Sequence, residues 1–178
     1  MKKLLPFALL VTCLLIVFSA SAQKKPEDKT KRLSPPDSVT VTTRKGITIK
    51  VSYGSPGVKG RAIGGNEIAT YGKVWRTGAN EATVFEIDKD VKIEGKRLPA
   101  GKYSLYSVPG EKKWVIIFNK TWNQWGTIYS EANDALRITV NTGTAPEFTE
   151  RLKFNIKKSG KVYFVWGDVM VAFKVKKA

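Results

Sequence analysis

The sequence predicts an all-β chain, a single antiparallel Greek-key β-sandwich of about nine strands. Three observations predict it. From Ser38 onward, short runs alternate apolar and polar residues with a period of two, the pattern of half-buried strands. Gly, Pro and Asp clusters separate the runs, as turns require. No stretch of helical period competes with them. The best helical candidate, GNEIATYGKV at 65–74, has room for only a turn or two.

The elements follow in order. SVTVTT (38–43) alternates valine with threonine, and Arg44-Lys45-Gly46 is a turn. ITIKVSY (47–53) places Ile47, Ile49, Val51 and Tyr53 on one face. ATVFEI (82–87) and VKIE (91–94) flank Asp88-Lys89-Asp90. KYSLYSV (102–108) and WVIIFN (114–119) flank Pro109-Gly110-Glu111, a hairpin signal. ALRITVN (135–141) and RLKFNI (151–156) come next. KVYFVW (161–166) and VMVAFKV (169–175) close the series, with Gly167-Asp168 read as the turn between them.

One short motif refines the fold class. Leu98-Pro99-Ala100-Gly101-Lys102-Tyr103 has the form of a tyrosine corner, which makes the sandwich immunoglobulin-like. Gly101 allows the sharp entry into a strand. Tyr103 then returns its hydroxyl to a backbone group just upstream, because a buried phenol needs a partner. The structural role is expected over a catalytic one.

The chain of 178 residues divides into three parts. Residues 1–22 read as a secretory signal peptide: Lys2 and Lys3, an apolar run over 4–18, and Ala20-Ser21-Ala22 as the cleavage site, so the mature chain is expected to begin at Gln23. The alternative is an uncleaved membrane anchor, for which the run is short. A lipoprotein reading through Cys13 meets Thr12 where a small residue is wanted. Residues 23–37, QKKPEDKTKRLSPPD, read as a flexible polar linker. Residues 38–178 form the sandwich domain. The expected location is therefore periplasmic or secreted, with membrane contact only through the N-terminus. Cleavage would remove Cys13, the one cysteine, leaving no thiol chemistry.

Composition limits the chemistry. The chain has no histidine, so it has no Ser-His-Asp triad, no Cys-His pair and no histidine-ligated zinc. No S-x-x-K dyad follows Ala22. Calcium-loop and P-loop spacings are absent too. No cofactor and no metal are expected. Formal net charge is +16, and +14 without the two lysines of the leader. That balance favours polyanionic surroundings such as lipid phosphate, acidic polysaccharide or stray nucleic acid, and serves equally to keep an exported chain soluble in a crowded envelope. The basic residues are spread along the chain, so no dedicated nucleic-acid arm is expected.

The candidate site is YGKVWRTGANEA, 71–82. Thr77-Gly78-Ala79-Asn80 reads as a loop before a strand. In a bracing reading, Arg76 pairs with Glu81 across this loop beside Trp75, and Asn80 caps the backbone. In a binding reading, Arg61, Trp75, Arg76, Asn80 and Glu81 converge on a ligand. In a catalytic reading, Glu67 and Glu81 are the two carboxylates of a histidine-free glycosidase. The glycine-rich stretch at 54–61 reads as a turn with some anion affinity. Trp122, Trp125 and Tyr129 form a second aromatic group in an irregular loop; capping one end of the sandwich is preferred over stacking on sugar.

The segments YGKVWRTGANEAT, IEGKRLPAGKYSL and WVIIFNKTWNQWG resemble the core of an uncharacterised family of secreted bacterial proteins, a domain-of-unknown-function family, over residues 38–176. WRTGANEAT is the most specific part of the resemblance. It implies export and a single domain, and it implies no activity. The expected function is thus a non-catalytic binding module for an anionic or carbohydrate envelope ligand. The alternatives are the paired-carboxylate hydrolase and a structural partner in an envelope assembly.

Overall fold

The structure, a computed structural model, describes residues 27–178. The expected signal peptide, its expected cleavage site and Cys13 lie outside the described residues. Among those described, no helix is long and apolar enough to cross a membrane.

Among the described residues nine strands form: β1 (Pro36–Thr42), β2 (Thr48–Gly54), β3 (Thr83–Ile87), β4 (Val91–Ile93), β5 (Lys96–Leu98), β6 (Gly101–Val108), β7 (Lys113–Asn119), β8 (Asp134–Ile156) and β9 (Lys161–Lys177). They pair antiparallel in one continuous sheet, in the order β1-β2-β3-β6-β7-β8-β9-β4-β5. The chain leaves β3, builds the β4–β5 hairpin at the far end of the sheet against β9, and returns to pair β6 with β3.

The sheet becomes sandwich-like because its longest strands bend. β8 first extends the sheet from β7. It then passes two register shifts, between Thr144 and Thr149 and between Thr149 and Lys153. Its second half reaches the segment after β2, where Leu152 N–H donates to the Pro56 carbonyl at 2.9 Å. Such irregularities increase local twist and re-aim a strand. Aromatic rings then meet across the closed interior. Tyr53 packs on Phe154 at 4.8 Å, Trp114 on Phe164 at 5.5 Å, and Phe118 on Phe173 at 5.7 Å between ring centroids. Edge and tilted contacts of this kind add to the area they bury.

The period-two reading of β2 holds, since Ile47, Ile49, Val51 and Tyr53 are all buried. The tyrosine corner is formed: Tyr103 Oη donates to the Pro99 carbonyl at 2.9 Å, and Gly101 has φ 152°.

Three local expectations are corrected. Gly167-Asp168 is not a turn between strands; 161–166 and 169–175 are both parts of β9. Gly167 kinks the strand at φ 54° while pairing with Thr149 continues. Likewise 135–141 and 151–156 are the two ends of β8. β5 was not foreseen. It follows a turn in which Glu94 and Gly95 both have positive φ, 47° and 83°, the geometry of a tight type I′ hairpin. Residues 65–74 form turns and isolated bridges, not helix.

The expected linker is also more structured than read. β1 begins at Pro36, and residues 27–35 lie against the domain. Arg32 Nη1 bonds Glu81 at 2.8 Å, Ser55 N–H donates to the Pro35 carbonyl at 2.9 Å, and Arg151 Nη1 donates to the Leu33 carbonyl at 3.1 Å. These partners are distant in sequence, so a polar composition alone suggested solvation.

β6 is covered on both faces. Leu105 and Tyr103 join the main core. Tyr106 points the other way, into a small cluster with Ala82 and Ile117, packed by Val108, Val115 and Tyr129. The loop over 120–130 covers this cluster, which places that loop over the segment that leads into β3.

Candidate functional site

The 71–82 stretch is fixed to the sheet from both sides. Trp75 and Ser107 exchange backbone hydrogen bonds at 2.7 and 2.8 Å, which adds Trp75 to the edge of β6. Ala79 N–H donates to the Gly54 carbonyl at 3.2 Å. Thr77 and Asn80 both have positive φ, 48° and 64°. The strain at Thr77 is held by a buried polar chain: its hydroxyl donates to Ser107 Oγ at 2.9 Å, and its carbonyl accepts from Thr83 Oγ1 at 2.9 Å. Burial of these three hydroxyls is tolerable because each has a partner, Thr77 and Ser107 in each other and Thr83 in the Thr77 carbonyl.

Trp75 is half-buried. Its ring stacks on Trp166 at 5.1 Å and 7° and meets Trp114 edge-on at 6.1 Å. This is a structural anchor, and it fixes the direction in which the next side chain leaves.

That next side chain is Arg76, which lies against Gly126 of the covering loop. A Cβ at Gly126 would collide with the Arg76 side chain and with the Asn80 carbonyl, so only glycine permits this approach. Gly126 N–H donates to the Asn80 carbonyl at 3.0 Å, and Ala82 N–H donates to the Gln124 carbonyl at 3.1 Å. The WRTGANEA and NQWGT segments, about fifty residues apart in the chain, therefore form one surface.

Between them lies a hollow of about 440 Å³, lined by Val74, Trp75, Arg76, Tyr106, Gly126, Thr127 and Tyr129. Tyr106 Oη donates to the Ile128 carbonyl at 2.6 Å and accepts from Gln124 Nε2 at 3.0 Å. Tyr129 Oη donates to Asp134 Oδ2 at 2.8 Å and accepts from Arg137 Nη2 at 2.6 Å. Burial, and then the Asp134 carboxylate, push the Tyr129 phenol up to about 12, so it stays protonated.

Arg76 has no carboxylate partner. Among the described residues its side chain makes no salt bridge, and its Nε is buried without a hydrogen-bond partner. The expected Arg76–Glu81 pair does not form. Glu81 is held instead by Lys29 Nζ at 2.7 Å and Arg32 Nη1 at 2.8 Å. Burial opposes ionisation of Glu81, but the hydrogen bonds from Lys29 and Arg32 prevail and bring its pKa down to about 2. The five-residue spacing brought Arg76 and Glu81 close in the chain. The intervening left-handed turns send them to different sides.

The other candidates separate in the same way. Asn80 Nδ2 donates to the Ser34 carbonyl at 3.0 Å, so Asn80 and Glu81 dock the N-terminal segment. Arg61 folds back on its own turn, donating to the Val58 and Gly57 carbonyls at 2.9 and 2.7 Å. Glu67 accepts from Ala62 N–H at 2.5 Å in an exposed loop. A second hollow, of about 220 Å³, is lined by Lys29, Arg32, Asn80 and Glu81 but not by Glu67. The five ligand candidates split between the two hollows: Trp75 and Arg76 line the first, Asn80 and Glu81 the second, and Arg61 lines neither.

Tyr106, Gly126 and Thr127 were not singled out in the sequence. The neighbouring Trp122, Trp125 and Tyr129 were, as a separate group. Tyr129 does cap the small cluster, whereas Trp122 and Trp125 are 39% and 46% exposed. Lys102 Nζ lies over the Trp122 ring at 5.0 Å. Among the described residues, no three acidic side chains come together to hold a metal.

No curated protein and no solved structure matches the chain. Residues 34–175, which include every element of this site, match the family described as protein of unknown function (DUF2911), and the chain belongs to that family.

Proposed function

We propose that the protein is a non-catalytic binding module of the cell envelope, and that the Arg76 hollow takes a carboxylate or phosphate group carried on a carbohydrate-like body. The observation that carries this reading is a guanidinium with a buried nitrogen that has no partner. Among the described residues, Arg32, Arg97 and Arg137 each pair with carboxylates, Arg61 and Arg151 donate to main-chain carbonyls, and Arg44 is exposed with no salt bridge. Arg76 alone lines a hollow with a buried nitrogen left unmatched. A planar fork in a partly desolvated site suits bidentate recognition of an anion. The indole of Trp75 and the ring of Tyr129 offer apolar walls for a sugar face, as small-ligand sites commonly do.

The non-catalytic half of the reading is supported by the carboxylates. A hydrolase of this chemistry needs one acid with a raised pKa opposite a second carboxylate. Glu81 is held ionised by two cations, and Glu67 is bound to its own loop.

The test is a titration followed by backbone amide NMR with glucuronic acid, glucose and inorganic phosphate as probes. Glucuronic acid is expected to shift the amides of Arg76, Gly126 and Thr127, with glucose producing no such shift. Arg76→Gln is expected to abolish the response and Arg76→Lys to weaken it. Unchanged glucuronate binding in Arg76→Gln overturns the reading.

A further inference from the structure

A different end of the molecule gathers six cations around one hollow. Three segments meet there: the turn after β1, the β8–β9 hairpin tip and the last residues of β9. Arg44 N–H donates to the Lys158 carbonyl at 2.9 Å, and Val175 N–H donates to the Gly160 carbonyl at 2.8 Å, which locks the three together. They enclose a hollow of about 510 Å³ lined by Arg44, Lys45, Lys158, Lys174, Lys176 and Lys177 around an apolar floor that includes Ile47 and Val175.

All six cations are exposed, and none forms a salt bridge among the described residues. The nearby carboxylates bond groups other than these six charged heads. Glu94 accepts from Lys174 N–H at 2.6 Å, Asp90 holds Arg97 at 2.8 Å, and Asp88 accepts from Thr48 N–H at 2.7 Å. The register adds a seventh cation by placing exposed Lys92 directly opposite exposed Lys176. Like charges in facing positions oppose folding, so the fold itself gives no reason for them.

We infer that this end is a docking surface for a bilayer containing anionic phospholipid, with the lysine and arginine heads on lipid phosphates and the apolar floor against the interface. Two features favour a lipid surface over a compact phosphate pocket or a polysaccharide. A phosphate cradle aims backbone N–H groups at its anion. Here the N–H groups of Arg44, Gly46 and Gly160 are all bonded to carbonyls of the same loops. The cations are also spread over three segments on flexible stems that cover apolar surface, which suits snorkelling at an interface. A polysaccharide has no use for the apolar floor.

The experiment is co-sedimentation of the full chain with vesicles of phosphatidylcholine alone and of phosphatidylcholine with phosphatidylglycerol. The apolar N-terminus is common to all variants, so the reading is the increment that phosphatidylglycerol adds. Lys158→Gln/Lys174→Gln/Lys176→Gln is expected to reduce that increment by about tenfold or more. Lys50→Gln/Lys112→Gln/Lys120→Gln removes the same charge from other exposed positions and is expected to change it little. Unchanged thermal midpoints check that both variants fold. Equal losses in the two variants overturn the site in favour of net charge alone. An absent increment overturns it, as does displacement of wild type from vesicles by millimolar inorganic phosphate. Binding to heparin with loss in the first variant, and no vesicle binding, overturns the lipid assignment in favour of polysaccharide.

Discussion

Replacing Arg76 with methionine should make the protein more stable. An unmatched buried donor costs about 1–3 kcal/mol relative to its hydrated state. Arg76 Nε is such a donor. Methionine removes it and keeps an unbranched stem of similar reach against Gly126 and Tyr106. The outer guanidinium nitrogens are not among the buried unmatched atoms, so their loss contributes little. No carboxylate is stranded, because Glu81 belongs to Lys29 and Arg32. The expected gain is thus about 1 kcal/mol. With a urea slope of about 1–3 kcal/mol per molar, the unfolding midpoint should rise by roughly half a molar. Arg32→Met is the comparison. It removes a bonded partner of Glu81, and its midpoint should fall. A lower midpoint in Arg76→Met would show that the guanidinium braces the loop, and the argument for a ligand-facing cation would fail.

Three further outcomes are expected. Tyr103→Phe should cost about 1 kcal/mol by leaving the Pro99 carbonyl unmatched, read by denaturant unfolding; an unchanged midpoint would contradict the corner. Gly126→Ala should cost about 1–3 kcal/mol and weaken glucuronate binding, because its Cβ meets both Arg76 and the Asn80 carbonyl; wild-type binding and stability together would refute that close approach. The Glu81 contacts should also respond to acid. Its folded pKa, about 2, lies below the ordinary carboxylate range, so its contribution is full above the unfolded value of about 4.3 and is lost as pH falls towards 2. Amide exchange at Arg32 to Ser34 should therefore rise across that window and stay flat in Glu81→Gln. Its carboxylate is 44% exposed, so screening keeps the energy below about 1 kcal/mol.

Legibility in the sequence followed the range of the interaction. β2 was plain because Ile47 to Tyr53 alternate without interruption and one face is buried. The tyrosine corner was plain because glycine, tyrosine and acceptor lie within five residues. β8 and β9 were each read as two strands because their bends break the alternation locally, while the ladder that continues them is supplied by a partner strand. The short β4–β5 hairpin was missed because Glu94-Gly95 is an uncommon pair for a type I′ turn. At the site, the importance of 71–82 was visible from its residue types, and the pairing within it was not. Glu81 finds its cations 49 and 52 residues upstream, in a stretch whose charge density suggested solvent.

The misplaced pair bears directly on the proposed function. Arg76 and Glu81 look like natural partners, and had they met, the stretch would be a closed brace with no unmatched charge. The left-handed turns at Thr77 and Asn80 prevent it. Those turns are costly for residues other than glycine, and such strain persists where the surroundings over-determine it. Here the surroundings are the bonds that Thr77 makes to Ser107 through its hydroxyl and to Thr83 through its carbonyl, and the Gly126–Asn80 contact. The result is a division of labour between Trp75 and Glu81. Glu81 and Asn80 fasten the N-terminal segment, Trp75 fastens the sheet edge through its stack on Trp166, and Arg76 is left with a buried nitrogen at the wall of a hollow. The fold invests strain and three buried hydroxyls in keeping that cation apart from the nearest carboxylate in sequence. Stability alone favours the opposite arrangement, which is why an anion from outside the chain is the simplest explanation for it.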